Sequence, residues 1–361
     1  MADRLILAVD PYHGHADETG GLARFLRPGP LCDPALIAAI RRLQTCHDAW
    51  LAHYPLGIWG EGLDVTREMR LLTETFLPMR EIRTAFRLLY SFALRFSPLL
   101  TACPVHRSSG WLDLLPFFYR YLPTTSPAVL LEQVALNEDL RLRLLFGMFL
   151  PPRYGCGFGR YERQLVHVRD WLNDTRHRRN KGIIRCLDAA TGTGEGAYDL
   201  AQLLLESGYP PERLVVHGSS PDPFELIAGA CGRFPHDPSR ERRFRNHVRT
   251  LALSGVTSRM TFLQGDVLDM PGDGGCYDLV VCNGLLGGPL LHADHELRRA
   301  VSVLTGCLSP GGLLCIADRF HDGWRRHNGE SSVRVMLRQA GFALCELPDG
   351  VAAMRSFGND M

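Results

Sequence analysis

The fold is decided by the stretch Leu187-Asp188-Ala189-Ala190-Thr191-Gly192-Thr193-Gly194-Glu195-Gly196-Ala197-Tyr198. An apolar run, 183–187, leads into it, and a helical pattern, 198–205, leads out of it. Glycines allow the backbone to turn sharply and let a ligand approach it closely. The start of the helix offers free N–H groups and the positive end of the helix dipole. This succession of strand, turn and helix predicts a nucleotide-binding corner.

Length and composition describe an ordinary globular chain. The 361 residues suggest two domains, and a hydrophobic content of 45% with 22% charged residues allows large apolar cores. A formal net charge of +1 argues against a dedicated nucleic-acid or membrane-surface protein. We find no signal peptide at the start and no uncharged apolar run of about 18 residues that could span a membrane. The 11 cysteines include no Cys-x-x-Cys pair, so we expect reduced thiols and a cytoplasmic protein.

Residues 1–150 are predicted to form an all-helical domain. Asp33-Pro34 and Ser126-Pro127 each combine a capping residue with a proline at the first helical position. Apolar residues recur at helical spacing from Leu36 to Trp50, and again over 65–76, 79–96, 110–121 and 127–149. The pattern carries no chemistry of its own, so a cap, a substrate-selecting domain and a dimerisation surface all remain open.

A His-x-His pair, His13 and His15, lies near the start of the chain beside Asp10 and Asp17. Such a group could bind a metal, but the sequence shows no further ligands that would complete the site. We therefore expect a polar loop and no metal centre.

Residues 151–181 are predicted to be a hinge followed by a linker helix, because Pro151-Pro152 and glycines at 155, 157 and 159 precede a helical pattern that ends near Asn173. Residues 182–361 alternate strands and helices, which predicts a parallel sheet covered by helices on both faces. The predicted strands are 183–187, 214–218, 260–264, 278–282 and 313–317, with helices 198–207, 224–231, 240–253, 295–308 and 331–340 around them.

Two further strands, 342–347 and 351–357, close the chain on either side of Pro348-Asp349-Gly350, a hairpin signal. Dinucleotide-binding sheets consist of two mirrored halves and do not end in this way. A parallel sheet that ends in an antiparallel hairpin resembles instead the seven-stranded sheet of methyltransferases.

The glycine corner alone is ambiguous, because Gly192-x-Gly194-x-x-Ala197 also fits the loose dinucleotide pattern. Asp188 favours S-adenosylmethionine, since a carboxylate would repel a pyrophosphate but suits an ammonium and a sulfonium. Asp266 and Val267 follow the third strand, where in the methyltransferase fold the acid accepts the adenine amine and the next residue packs on the ring. The run 308–314, Leu-Ser-Pro-Gly-Gly-Leu-Leu, matches the turn typical of these enzymes before their fifth strand.

On these motifs residues 182–361 resemble the class I S-adenosylmethionine-dependent methyltransferases. Within them the chain is most similar to the chemotaxis receptor methyltransferases, the CheR family of glutamate O-methyltransferases. Residues 193–198 are similar to that family's Thr-Gly-Glu-Glu-Pro-Tyr, 232–234 to its Gly-x-Tyr, and 277–283 to its Phe-Asp-Leu-Ile-x-Cys-Arg-Asn. Residues 219–222 stand where the family has Thr-Asp-Ile-Asp, and an all-helical N-terminal domain also fits.

The chain departs from the family pattern in three places. Ser220 replaces the usual ribose-binding acid, so that Asp222 or Ser220 itself would hold the ribose hydroxyls. The Phe-Phe-Arg signature before the first strand is absent. The interval from Phe234 to Phe262 holds one helix and leaves no room for the family's inserted receptor-docking subdomain. We therefore expect a conserved donor site and an acceptor other than a chemoreceptor.

The resemblance implies a donor site at the carboxyl ends of the strands. Its expected members are Asp188, Ala190, Gly192 and Gly194 for the methionine end, Ser220 and Asp222 for the ribose, Asp266 and Val267 for adenine, Glu195 beneath the donor and Asn283 near the transferred methyl. Tyr154, Arg160, His292, Asp318 and His321 are candidates for the acceptor side, where Asp318 and His321 combine an acid with a potential base; with Asn283 they are the expected catalytic residues. A carboxylate acceptor needs no base, whereas a hydroxyl or an amine would be helped by one.

These patterns favour an S-adenosylmethionine-dependent O-methyltransferase that acts on a carboxylate or hydroxyl of a small molecule or peptide. No nucleic-acid or membrane partner is expected, and the apolar helices leave a homodimer open. The alternative is a non-catalytic descendant that keeps the fold as a binding or scaffold module. A nicotinamide oxidoreductase is a third and more distant interpretation.

Overall fold

The computed structural model describes residues 4–12, 20–53, 64–150, 157–179, 182–270, 275–288, 291–317, 330–347 and 350–355. The chain divides into two compact units. One comprises Met1–His13, Pro152–Arg233 and Arg242–Met361, and the other comprises Gly14–Pro151 with Phe234–Glu241. The first unit is therefore assembled from three separate segments of the chain.

The second unit is helical over its described residues. Its helices are α1 (Gly20–Ala23), α2 (Pro34–His53), α3 (Arg67–Phe76), α4 (Met79–Ala93), α5 (Pro104–Arg107), α6 (Leu115–Phe118), α7 (Pro127–Leu136) and α8 (Glu138–Phe149). The single helix predicted over 127–149 is wrong, because Asn137 leaves the helix and its side chain caps α8 by accepting a hydrogen bond from the N–H of Leu140 at 3.0 Å. The helix predicted over 110–121 is also broken, into a 3₁₀ turn at Trp111–Asp113 and the short α6.

Aromatic side chains fill the core of the helical unit. The rings of Phe86 and Trp111 both stack on Phe118, with centroids 5.5 and 5.4 Å away. Each buried indole also satisfies its N–H group, since Trp50 donates to the hydroxyl of Thr73 at 3.1 Å and Trp111 donates to the carbonyl of Thr125 at 2.8 Å. Burial of these rings without an unsatisfied N–H contributes strongly to the stability of this unit.

Arg141 is a buried cation inside the helical unit, with 1% of its surface exposed. Its guanidinium donates to four carbonyl oxygens, those of Val134 and Ala135 at the end of α7 and those of Arg27 and Gly29 before α2, at 2.7 to 3.1 Å. Burial lowers the pKa of this guanidinium. The side chain thus joins three segments of the chain through backbone acceptors.

The first unit is built on a mixed sheet. Its described strands are β1 (Ile6–Ala8), β2 (Ile184–Asp188), β3 (Leu214–Ser220), β4 (Met260–Gln264), β5 (Tyr277–Asn283), β6 (Leu308–Ala317), β7 (Ala343–Leu347) and β8 (Gly350–Met354), in the order β1-β4-β3-β2-β5-β6-β8-β7. The neighbouring pairs β4–β3, β3–β2, β2–β5 and β5–β6 are parallel, and β8 is antiparallel to both β6 and β7. The predicted parallel sheet with a closing antiparallel hairpin is therefore confirmed, while the hairpin turn at 348–349 lies outside the described residues.

The sheet has eight described strands and not the seven predicted. The additional strand, β1, pairs antiparallel with β4, so that Leu7 lies opposite Phe262. It also corrects the prediction that residues 1–150 are all-helical. The short apolar run around Leu7 could not be assigned from its own pattern, because its partner strand lies far away in the sequence.

Helices cover both faces of the sheet. They are α9 (Glu162–Arg179), α10 (Glu195–Glu206), α11 (Pro223–Cys231), α12 (Pro238–Leu253), α13 (Asp294–Gly306) and α14 (Glu330–Gln339). One face packs Leu187, Val280 and Leu314 against apolar residues of α13 and α14. On α10, the Tyr198 ring lies edge-on to Phe244 and Phe262, and its hydroxyl donates to the carbonyl of Gly229 at 2.9 Å. Tyr198 is therefore a core residue.

In the described part of the chain, no helix combines the length and the apolar character that crossing a membrane would require. The cysteines of these residues are all free thiols.

Candidate nucleotide-binding site

The glycine corner lies at the carboxyl end of β2, between β3 and β5. Asp188, the last residue of β2, is in register with Gly218 on one side and Val281 on the other. The chain then turns through Gly192 and Gly194, whose φ angles of 55° and 93° are left-handed, and α10 begins directly afterwards. The next strand in sequence, β3, lies on one side of β2, and β5 lies on the other side. The corner is therefore a topological switch point, the place where open α/β sheets bind their ligands.

Asp188 is buried within this corner, with 4% of its surface exposed. Burial raises the pKa of its carboxyl to about 6, and the nearby Thr191 hydroxyl and the Ala190 N–H act against this shift. The predicted contact with a cationic donor stays a prediction. In the structure the Asp188 carboxylate contacts the turn that follows β2, through the N–H of Ala190. Asp188 therefore also stabilises the backbone of the corner.

The raised pKa of Asp188 predicts a specific pH dependence of stability. The folded protein keeps this proton up to about pH 6, whereas an ordinary aspartate releases it near 3.8. The folded state therefore binds more protons in this window, and the free energy of unfolding falls as the pH rises from 3.8 to 6, by roughly 3 kcal/mol at most. We expect Asp188→Asn to remove the contribution of this one carboxyl to the pH dependence of stability, which urea unfolding at pH 4 and pH 7 measures.

Asp199→Asn is the comparison for this measurement, because burial also raises the Asp199 pKa to about 6. Each variant should remove only part of the fall in stability seen in the unmodified protein. If the stability of Asp188→Asn and that of the unmodified protein changed in parallel from pH 4 to pH 7, the raised pKa of Asp188 would be contradicted.

The surroundings of the corner are acidic. Thr193 donates to the Glu195 carboxylate at 2.6 Å, and both side chains are buried. Glu195 and Asp199 both raise the pKa of Asp188, so the three carboxyl groups sense one another. A ligand that carries positive charge would be favoured here, whereas a pyrophosphate would meet repulsion.

The predicted ribose residues form a buried hydrogen-bonded group with a residue that the sequence did not single out. Ser220 donates to the carboxylate of Glu225 at 2.6 Å and accepts from the N–H of Asp222 at 3.1 Å. Asp222 in turn caps α11 by accepting from the N–H of Phe224 at 3.0 Å. In the sequence, Glu225 is marked only as an acidic residue in the first turn of the helix that follows the strand. Glu225 therefore places a carboxylate behind Ser220, at the end of β3.

The predicted adenine residues lie after β4. Asp266 is exposed, and its carboxylate accepts from the N–H of Leu268 at 2.9 Å, which forms a capped turn. Val267 is buried in the core that contains Leu187 and Leu297. The Val267 side chain thus packs inside the sheet unit, and Asp266 is the more accessible of the two.

Asn283, the last residue of β5, pairs with a residue of α9. The side-chain amide of Gln164 donates to the Asn283 oxygen at 3.0 Å, and the Asn283 amide donates to the Gln164 oxygen at 2.7 Å. Gln164 is 2% exposed and Asn283 is half-buried. Gln164 was not predicted as a site residue, since an isolated glutamine in a helical pattern gives no signal.

Because β2 to β5 are parallel, their carboxyl ends meet at one edge of the sheet. The structure therefore brings together Asp188, Ala190, Gly192, Gly194, Glu195, Ser220, Asp222, Asp266 and Asn283 along that edge. Tyr154, Asp318 and His321 lie outside the described residues, as do His13 and His15. The Arg160 guanidinium lies 5.4 Å from the Tyr161 ring centroid, and His292 is exposed. The acceptor side of the prediction stays a prediction.

Several solved structures are similar to about half of the chain. The aminoglycoside resistance methyltransferase NpmB1 is 16% identical with a TM-score of 0.35, over 51% of this chain and 92% of that one. A 16S rRNA (adenine(1408)-N(1))-methyltransferase from Catenulisporales acidiphilia is 15% identical with a TM-score of 0.34, over 52% and 93%. The cyclase SpnF is 18% identical with a TM-score of 0.33, over 54% and 63%. No protein-family model and no curated protein sequence matches the chain. Likenesses this weak carry no conclusion about the chemistry.

Proposed function

We propose that the chain binds S-adenosylmethionine at the glycine corner and transfers its methyl group to an oxygen of a small molecule or a peptide. The observation that carries this proposal is the order of the strands. A dinucleotide-binding sheet extends its second half with a parallel sixth strand. In this sheet the antiparallel β8 lies beside β6 instead, and β7 forms the edge. The switch point at β2 is kept, while the second mirrored half is absent from the described sheet.

The charge of the corner supports the same donor. Asp188, Glu195 and Asp199 surround the start of α10 with carboxyl groups. A nicotinamide dinucleotide would bring a pyrophosphate to this position, and S-adenosylmethionine would bring an ammonium and a sulfonium. The acidic surroundings therefore favour the sulfonium donor over the dinucleotide.

The backbone of the corner leaves space for a ligand. A Cβ at Gly192 would meet no atom within 4 Å, so this glycine faces open space. Gly192 and the first turn of α10 would hold the methionine end, Glu225 with Ser220 the ribose, and Asp266 the adenine amine. When bound, S-adenosylmethionine supplies a methyl group on a positively charged sulfur that is a good leaving group.

The residues of this chain would then contribute alignment and the exclusion of water, which are the main demands of an in-line displacement. Asn283 is neutral and can donate an N–H to an acceptor oxygen, but it takes up no proton. A carboxylate acceptor therefore fits this residue well, because it is already ionised. Asp318 and His321 are the candidates for a base if the acceptor is a hydroxyl.

A specific observation also favours the non-catalytic alternative. The polar side chains of Ser220 and Asp222 bond to groups of this same chain, and so does the amide of Asn283. A fold retained as a scaffold would keep such internal bonds without a ligand. Donor binding without turnover is the result that would select this alternative.

Titration calorimetry of the full chain with S-adenosylmethionine and with S-adenosylhomocysteine tests the proposal. We expect saturable binding of both compounds, and no change in fluorescence on titration with reduced nicotinamide dinucleotide. Absence of binding at millimolar concentrations of both sulfur compounds would end the proposal. Glu225→Gln is expected to weaken both ligands about tenfold, since hydrogen bonds to a charged group contribute about 1.5 kcal/mol or more. Glu206→Gln, on the exposed end of α10, is the matched control.

A further inference from the structure

We propose that Gln164 is a positioning residue of the donor site, which holds the side-chain amide of Asn283 beside the methyl group to be transferred. The inference rests on the proposed function, because it requires the sulfonium donor at the corner. It adds α9 to a site whose other members lie at strand ends, in the turns that follow them and in the first turns of α10 and α11.

The geometry of the pair carries the proposal. Two reciprocal hydrogen bonds, at 3.0 and 2.7 Å, join the amide planes of Gln164 and Asn283. Gln164 lies in the first turn of α9 and is 2% exposed, whereas Asn283 is half-buried. The half-buried Asn283 side chain is thus held by Gln164, which is almost completely buried.

Asn283 keeps hydrogen-bonding capacity beyond this pair. A primary amide has two N–H donors and two oxygen lone pairs, and a reciprocal pair uses one of each. One N–H and one lone pair on Asn283 are therefore left for a ligand. The N–H suits an acceptor oxygen, and the oxygen attracts the polarised C–H groups of a sulfonium methyl. Both require the amide to be held in place, which is the role assigned to Gln164.

The position of Asn283 in the sheet agrees with this role. It ends β5, the direct neighbour of β2, and it lies two residues beyond Val281, which is in register with Asp188. Asn283 and Asp188 therefore lie on the same edge of neighbouring strands, on either side of the point where the corner begins. Side chains two residues apart on a strand share one face, so Val281 shares with Asn283 the face on which Gln164 contacts Asn283.

A comparison of two ligands tests this role without knowledge of the acceptor. S-adenosylmethionine carries the methyl group and the positive charge on sulfur, and S-adenosylhomocysteine lacks both. We expect Gln164→Leu to weaken S-adenosylmethionine about threefold and to leave S-adenosylhomocysteine unchanged, since one C–H···O contact is lost. Calorimetry at pH 8 with both ligands measures the ratio of the two dissociation constants. Gln202→Leu is the matched control, because the Gln202 side chain donates to the surface residue Glu206 at 2.9 Å and is remote in function from Asn283.

Gln164→Met serves if the leucine variant does not fold, because methionine keeps the length of the side chain and removes both hydrogen bonds to Asn283. We again expect S-adenosylmethionine to bind about threefold more weakly and S-adenosylhomocysteine to bind unchanged. An unchanged ratio in both variants overturns the role of Gln164, as does an equal loss of both ligands. Failure of the unmodified protein to bind either ligand overturns the proposed function instead.

Discussion

Substitution of Gly194 by alanine is expected to lower the free energy of unfolding by about 3 kcal/mol. The φ angle of 93° at this position is left-handed, which costs a residue with a side chain roughly 1–2 kcal/mol. A Cβ would also lie 2.5 Å from the ring of Phe262, which is fully buried beside Tyr198. Overpacking of this kind adds about 1–3 kcal/mol. Urea unfolding followed by fluorescence measures the loss, and calorimetry should show that donor binding is lost with it.

Gly192→Ala is the matched control within the same turn. Its φ of 55° is also left-handed, but a Cβ there would meet no atom within 4 Å. Only the backbone strain applies, so we expect a loss of about 1 kcal/mol. Equal losses in the free energy of unfolding at the two positions would show that the contact with Phe262 does not contribute to the loss at Gly194.

Substitution of Arg141 by methionine is expected to cost at least about 3 kcal/mol. Methionine has a similar length and apolar stem, so the change removes the charge and the hydrogen bonds with little loss of volume. The carbonyl oxygens of Val134, Arg27 and Gly29 would lose the guanidinium donor inside the helical unit. The carbonyl of Ala135 would keep the N–H of Leu31 as a donor. Each buried acceptor without a partner costs about 1–3 kcal/mol, less whatever water recovers. Thermal and urea unfolding of the full chain measure the effect.

Arg143→Met, two residues further along α8, controls for the change of residue type. Arg143 is exposed and forms an i,i+4 ion pair with Asp139 at 3.0 Å. Such surface pairs contribute about 0.5 kcal/mol or less. A loss at Arg141 as small as that at Arg143 would mean that the carbonyl groups find other donors, and it would contradict a stabilising role of Arg141 in joining the three segments.

The sheet could be predicted wherever a strand carries its own apolar run between turn residues. The strand predicted over 260–264 is β4, Met260–Gln264, and the strand predicted over 214–218 lies within β3. The strand β1 could not be predicted in this way, because a run of three residues becomes a strand only through its partner. The break at Asn137 was hidden for a related reason. Apolar residues recur at helical spacing on both sides of Asn137, so the helical period continues through the break, and only the cap and the acidic first turn that follows mark it.

The residues of the candidate site also divide into those with a local signal in the sequence and those without one. Gly192 and Gly194 could be predicted because a glycine-rich turn has local consequences for the backbone. Gln164 could not, since its role depends on a partner 119 positions away. Glu225 in the first turn of α11 looks like an ordinary partner of the helix dipole. That pattern does not show that the Glu225 carboxylate accepts a hydrogen bond from Ser220.

The pairing of β1 with β4 sets an order of events during synthesis. The N–H of Leu5 donates to the side chain of Gln264, 259 positions further along the chain. At about 5–20 residues per second, a ribosome needs roughly 13 to 50 seconds to supply that partner. Helical segments form in microseconds to milliseconds, so residues 14–151 of the helical unit should fold while β1 is still without its partner. The nascent chain therefore carries an unpaired apolar strand for most of its synthesis, a natural binding segment for a ribosome-associated chaperone.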